Sequence, residues 1–223
     1  EEIPDVITEG GTTVAKDYAC VEGTHTYTFK AVDAAGNETV TEALTVKLDT
    51  IKPVMGEAVF NEGYKNLWNW LIRKDSLEIT VPVEEAGSGI ESVDYELIPE
   101  DGSTTAGRTS VKKASGENSA GYTAVIYVNP DFKGKIKITA KDHAGNVSDT
   151  KMIGTDGSGI HGIIVEDHAP EITFSVNGSE SPAEEYEKAP TVDVTVKDDK
   201  ENVLSAGLAS VAYQVGNSTE CVV

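Results

Sequence analysis

The feature that most constrains the fold is an alternating segment followed by an Ala-Gly-Asn turn, which the chain contains twice. TYTFKAVDAAGN occupies residues 26–37, and KIKITAKDHAGN occupies residues 135–146, which is 109 positions later. Apolar and polar residues alternate before the aspartate in both copies, which is the period of a strand with one buried face. The repeat therefore predicts antiparallel strands connected by tight turns.

The Asp-x-Ala-Gly-Asn segment has two interpretations, and the first is a structural turn. Gly36 and Gly145 can adopt the positive φ that a tight hairpin needs. Asp33 and Asp142 can accept hydrogen bonds from the exposed amides of the turn. This interpretation accounts for every residue of the segment without a ligand.

Calcium binding is the second interpretation. Calcium takes about six to eight oxygen ligands from loops. Acidic residues recur at the two turns, at the junctions before Pro53 and Pro170, and after residue 197. The candidate ligands are Asp33, Asp49, Asp142, Glu166, Asp167, Asp198 and Asp199. No Asp-x-Asp-x-Asp-Gly loop is present, so both interpretations stay open.

Further echoes indicate the length of the repeated unit. SGIESVDYEL (88–97) resembles AGLASVAYQV (206–215), and LDTIKPV (48–54) resembles VEDHAPEI (165–172). The spacing of about 110–120 residues is that of one β-sandwich domain. The predicted domains are the second half of a module at 1–50, a complete module at 51–168 and the first half of a module at 169–223.

The order of these features resembles the tandem bacterial immunoglobulin-like domains of cell-surface and secreted proteins. The resemblance rests on an alternating strand, Ala-x-Asp-x-Ala-Gly-Asn, a second alternating strand and an acidic residue shortly before a proline. It implies an all-β fold of tandem immunoglobulin-like Greek-key β-sandwiches, one complete domain flanked by two partial ones. It also implies an extracellular, non-catalytic spacer or stalk that projects a functional domain from a bacterial surface or within a secreted protein.

The partners that this organisation implies are other domains of the same polypeptide. The partial modules either mark the limits of a segment of a longer chain or associate head to tail between neighbouring molecules. The junctions are short and contain proline, which restricts φ, so we expect neighbouring modules to form a semi-rigid rod.

Charge and motifs exclude several other functions. The net charge of −20 disfavours binding to nucleic acid or to an anionic membrane, and no apolar run has the length for membrane insertion. No HExxH or GxSxG motif is present, so we predict that the chain is not an enzyme. The two cysteines, Cys20 and Cys221, form neither a disulfide framework nor a zinc motif, and disulfides between molecules stay open.

The segment GYKNLWNWLIRKDS (63–76) supports an alternative function, because it contains both tryptophans. If the segment is extended, Trp68 and Trp70 lie on one face of a strand. With Tyr64 they would form an aromatic platform of an adhesive or carbohydrate-binding module, with host or dietary glycan or a surface protein as the ligand. The competing interpretation is that the rings pack at one end of the sandwich, and a short helical turn is a further alternative.

The segment 99–122 departs from the alternating pattern. It is rich in Gly, Ser and Thr, which predicts a mobile hairpin or a long loop. Arg108, Lys112 and Lys113 form a local positive patch in this otherwise acidic chain.

Overall fold

The computed structural model describes residues 17, 19–114, 121–154, 159–198, 204–214 and 221–222. Every helix or strand assigned within these residues is a β-strand, which confirms the predicted all-β fold. This part of the chain contains no helix that is long and apolar enough to cross a membrane. The chain divides into two compact units, Glu1–Ile51 and Lys52–Val223. The three predicted domains stay a prediction.

The described residues of the first unit form two antiparallel strand pairs. Its strands are β1 (Gly23–Tyr27), β2 (Lys30–Val32), β3 (Glu38–Val40) and β4 (Leu44–Leu48). β1 pairs with β4, and β2 pairs with β3. The strand predicted at 26–31 is interrupted between Tyr27 and Lys30, where the N–H of Phe29 donates to the hydroxyl of Thr41 (3.0 Å). Apolar side chains such as Phe29 remain exposed, at 43%.

Residues 54–165 of the second unit form two sheets that face each other across one core. Their strands are β5 (Val54–Met55), β6 (Val59–Phe60), β7 (Lys65–Leu67), β8 (Trp70–Arg73), β9 (Leu77–Glu84), β10 (Ile90–Pro99), β11 (Thr105–Thr109), β12 (Val111–Lys113), β13 (Gly121–Val128), β14 (Phe132–Asp142), β15 (Lys151–Ile153) and β16 (Gly162–Val165). One sheet has the order β11-β10-β14-β16-β8-β7, with β15 also paired to β14. The other has the order β12-β13-β9-β5, with β6 also paired to β9. Within these sheets β8 and β16 are parallel, and the other pairs are antiparallel.

Strict alternation along β9 and β14 builds the core between the sheets. Every second residue of β9 is buried from Leu77 to Val83, and every second residue of β14 is buried along its whole length. Residues of both strands belong to one apolar cluster. The intervening side chains point outward, as for Lys137, whose Nζ lies 3.2 Å from a carboxylate oxygen of Glu96. The predicted strands at 77–85 and 135–140 are therefore confirmed.

Strands occupy Thr105–Thr109 and Val111–Lys113, so the prediction of a long loop across 99–122 was wrong there, and its alternative, a hairpin, is confirmed. β11 pairs with β10, and β12 pairs with β13. Gly107 lies opposite Tyr95, whose ring occupies the space that a side chain at 107 would need. Arg108 pairs with Asp94, with 2.5 Å between Nε and Oδ1. Cross-strand contacts of this kind stabilise a sheet edge even when its sequence is rich in Gly and Thr.

The remaining described strands form two short antiparallel pairs. They are β17 (Glu171–Val176) with β18 (Val192–Lys197), and β19 (Ala212–Tyr213) with β20 (Cys221–Val222). Apolar side chains of the first pair remain exposed, including Ile172 at 64% and Phe174 at 56%. These side chains alternate as those of β9 do, but they are not buried in the core between the two sheets.

Candidate functional site

The two Ala-Gly-Asn turns share the hydrogen bonds between their aspartate and their asparagine. In the second copy, Oδ1 of Asp142 accepts the N–H of Asn146 and Oδ2 accepts its side-chain Nδ2–H, both at 2.8 Å. In the first copy, Asp33 accepts the same two donors from Asn37 at 2.8 and 2.7 Å. The glycine before each asparagine has a φ of 90° or 98°. The bond from the side chain of Asn37 lowers the pKa of Asp33, because it favours the charged carboxylate.

The two turns differ in burial. Asp142 is fully buried, whereas Asp33 is exposed. A carboxylate oxygen of Glu85, which is 5% exposed, lies within 4.8 Å of one of Asp142. The loop that contains Glu85 also contacts the second turn, because the N–H of Ala144 donates to the hydroxyl of Ser88 (3.1 Å). The fold thus places two buried acids from distant parts of the sequence side by side.

Loop hydrogen bonds also involve other predicted calcium ligands. Asp49, in the first unit, accepts the N–H of Ile51 at 3.2 Å. Asp198 accepts the hydroxyl of Ser205 at 2.7 Å and the N–H of Gly207 at 2.9 Å. Asp199 lies outside the described residues. These bonds explain the acidic side chains without an ion, and calcium binding stays a prediction.

Glu166 and Asp167 lie between β16 and β17, where the fold brings them next to two residues that the sequence did not single out. Nδ1 of His168 is 3.5 Å from Oδ1 of Asp131. The same atom is 3.8 Å from a carboxylate oxygen of Glu166 and 3.8 Å from one of Asp167. Burial raises the pKa of Glu166, and a hydrogen bond from the backbone of His168 opposes that shift. The only signals in the sequence are the position of His168 directly after two acids and that of Asp131 in an Asn-Pro-Asp turn.

The tryptophan segment forms a hairpin in which β7 and β8 are joined by Trp68 and Asn69. Both residues have positive φ, 52° and 63°, which is the backbone of a type I′ turn. Trp68 projects from this turn and is 64% exposed. The extended backbone on which the same-face argument depended is therefore not present at Trp68.

The other two aromatic candidates have separate environments. Trp70 packs over Gly162, where an added Cβ would lie 2.6 Å from the indole ring. Nζ of Lys133 is 5.1 Å from the centroid of that ring, within the range of a cation–π contact. Tyr64 makes an edge contact with Phe60, with 5.9 Å between ring centroids. Trp68 is the most exposed of the three predicted residues.

Comparison with protein-family models and with curated proteins finds no match for this chain. The functional argument therefore rests on the fold and on the contacts of the side chains described above.

Proposed function

We propose that the chain is a non-catalytic extracellular spacer made of immunoglobulin-like Greek-key modules, within a bacterial cell-surface or secreted multidomain protein. The observation that carries this proposal is that Asp33 and Asp142 accept the same two hydrogen bonds from the asparagine of their own turn. Each carboxylate is used by its own turn. The repeat therefore preserves a structural element, as expected for modules that serve as supports.

The two facing sheets of the second unit support the same proposal, because they bury one continuous apolar core. The exposed apolar faces of β1–β4 and of β17–β18 suit contacts with further modules of the polypeptide or with a neighbouring molecule, head to tail. Calcium at the acidic loops would be an accessory to this role.

Small-angle X-ray scattering of the 223-residue chain tests the spacer. We expect an elongated particle whose maximum dimension changes little with ionic strength, because proline-containing junctions restrict bending. A compact particle would contradict a role in projection. Sedimentation velocity over a range of concentrations tests head-to-tail association, which would appear as species larger than the monomer.

A carbohydrate-binding or adhesive module is the second candidate, and Trp68 is the observation that favours it. A bulky residue in the left-handed region costs roughly 1–2 kcal/mol, and Asn or Gly would adopt this turn more easily. A large aromatic ring is nevertheless exposed there. Exposed indole rings stack on the apolar faces of sugars, so ligand binding would explain why tryptophan occupies this position.

A glycan-array screen distinguishes the two functions. Trp68→Asn removes the ring and keeps a residue that tolerates positive φ. Tyr127→Ala is the matched control, because Tyr127 is an aromatic residue of β13 that is 57% exposed. Saturable binding that Trp68→Asn abolishes and Tyr127→Ala retains would establish the glycan module. The absence of binding by the folded chain would leave the spacer as the function.

A further inference from the structure

We propose that Asp131, Glu166, Asp167 and His168 form a binding site for a divalent transition-metal ion of the zinc type. The site lies at one end of the two-sheet core, where the loop between β13 and β14 meets the segment that follows β16. The inference is independent of the spacer function and concerns only the second unit.

The spacing of the donor atoms suits one ion. One ligand atom from each of Asp131, Asp167 and His168 lies within 4.8 Å of the other two. Nδ1 of His168 and Oδ1 of Asp131 are 3.5 Å apart. Zinc binds nitrogen and carboxylate oxygen at about 2.0–2.2 Å, so its ligand atoms are separated by roughly 3–4 Å. Small side-chain adjustments would bring the three atoms around a common centre.

Glu166 provides a second, independent observation that indicates a bound cation. The residue is 9% exposed, and its Oε1 is buried without a hydrogen-bond partner among the described residues. This oxygen lies 3.8 Å from Nδ1 of His168, so it faces the same cluster. A buried carboxylate oxygen without a partner is costly, because it has lost its hydration. A cation bound beside it would compensate for that loss.

The backbone at Asp131 agrees with a ligand role. Asp131 is the last residue of the three-residue loop between β13 and β14, and its φ is 67°. Gly is the usual residue at the left-handed position of such a loop. Aspartate there is less favourable for the backbone but adds a carboxylate that points to His168.

The ligand set favours a transition metal over calcium. Imidazole nitrogen binds zinc and its neighbours well, whereas calcium prefers oxygen ligands only. Arg73 lines the cavity of about 400 Å³ next to the cluster. Its guanidinium donates to the backbone carbonyls of Glu62 and Ser76.

A bound ion would connect the β13–β14 loop to the segment that leads into β17, and would hold that segment against the core.

Isothermal titration calorimetry of the chelator-treated, 223-residue chain tests the site, with ZnCl₂ as the probe and CaCl₂ and MgCl₂ as comparators. We expect one zinc ion per chain and a higher melting temperature with zinc, because a ligand of the folded state stabilises it. His168→Ala and Asp131→Asn should each weaken zinc binding by more than about tenfold. Asp131→Asn preserves the shape of the side chain and tolerates positive φ.

His143→Ala is the matched control, because His143 is an exposed histidine of the second Ala-Gly-Asn turn in the same unit; it should bind zinc as the unaltered chain does. The visible spectrum of the Co²⁺-loaded, unaltered chain is a second measurement that requires no variant to fold. Intense visible absorption would indicate a four-coordinate site, as expected for a zinc-type ion, and a weak octahedral spectrum would count against it.

Three results would overturn the proposal. The first is the absence of saturable zinc binding, which would leave His168 as a counter-ion of the surrounding carboxylates. The second is zinc binding that persists in both His168→Ala and Asp131→Asn. The third is binding of calcium in preference to zinc, which would indicate a site made of oxygen ligands only.

Discussion

Removing the same asparagine side chain from the two Ala-Gly-Asn turns should have unequal effects. In Asn146→Ala, Oδ2 of Asp142 loses the Nδ2–H donor that lies 2.8 Å away. Asp142 is fully buried, so water cannot replace the lost donor without opening the turn. In Asn37→Ala, Asp33 loses the equivalent bond at 2.7 Å, but Asp33 is exposed and water can take the place of the amide.

The loss of stability expected for each variant depends on the burial of the aspartate. Leaving a buried acceptor without its partner costs about 1–3 kcal/mol, and more when the acceptor is charged. We therefore expect Asn146→Ala to lower the free energy of unfolding of the second unit by about 2–3 kcal/mol. For Asn37→Ala we expect a much smaller loss, because the carboxylate of Asp33 stays hydrated.

Two measurements follow the two units separately. Urea denaturation followed by tryptophan fluorescence reports on the second unit, which contains both Trp68 and Trp70. Amide hydrogen exchange of Gly36 and Gly145, whose N–H groups bond to the carbonyls of the turn aspartates, reports on each turn. Equal effects in the two copies would refute the reasoning, since they would mean that burial of Asp142 does not set the cost.

Three further predictions follow from the same structure. Trp70→Ala should destabilise the second unit by about 2–3 kcal/mol, because the half-buried ring packs over Gly162. Urea denaturation should show a smaller loss of stability for Trp68→Asn. Equal losses of stability in the two variants would mean that both rings pack against the second unit. The hydrogen bond from Arg108 lowers the pKa of Asp94 below its ordinary value of 3.8. The pair therefore stabilises the folded state at neutral pH, and this contribution to stability disappears as the pH falls through the lowered pKa. The small difference in stability between the unaltered chain and Arg108→Gln should accordingly vanish in acid, and a difference that persists there would exclude the charge of Asp94 as its source. If calcium binds the acidic loops, the melting temperature should be higher in CaCl₂ than in EDTA, and equal values would remove calcium from the account.

The sequence predicted the strands that depend on alternation alone. β9 and β14 lie where their patterns place them, and the Asp-x-Ala-Gly-Asn turns have the hydrogen bonds that their side chains allow. These features are local, because the period of two and the turn chemistry act between residues close in the chain. Composition alone left residues 99–122 open between a hairpin and a long loop, and pairing of β11 and β12 with the neighbouring strands β10 and β13 decided for strands at 105–109 and 111–113.

The candidate sites were decided by tertiary structure. Trp68 and Trp70 share a segment, yet a two-residue turn exposes the first ring and the packing of β8 against Gly162 covers the second. Asp131 meets His168 only because β14 and β16 are neighbours in one sheet.

The sequence by itself thus determined the all-β class and the repeated turn, because hydrophobic alternation and glycine conformation are properties of short segments. Only the tertiary structure decided which carboxylates are buried and which of them face a histidine. Burial and proximity are set by strands far apart in the chain, and the alternating pattern of a single strand does not encode its neighbours.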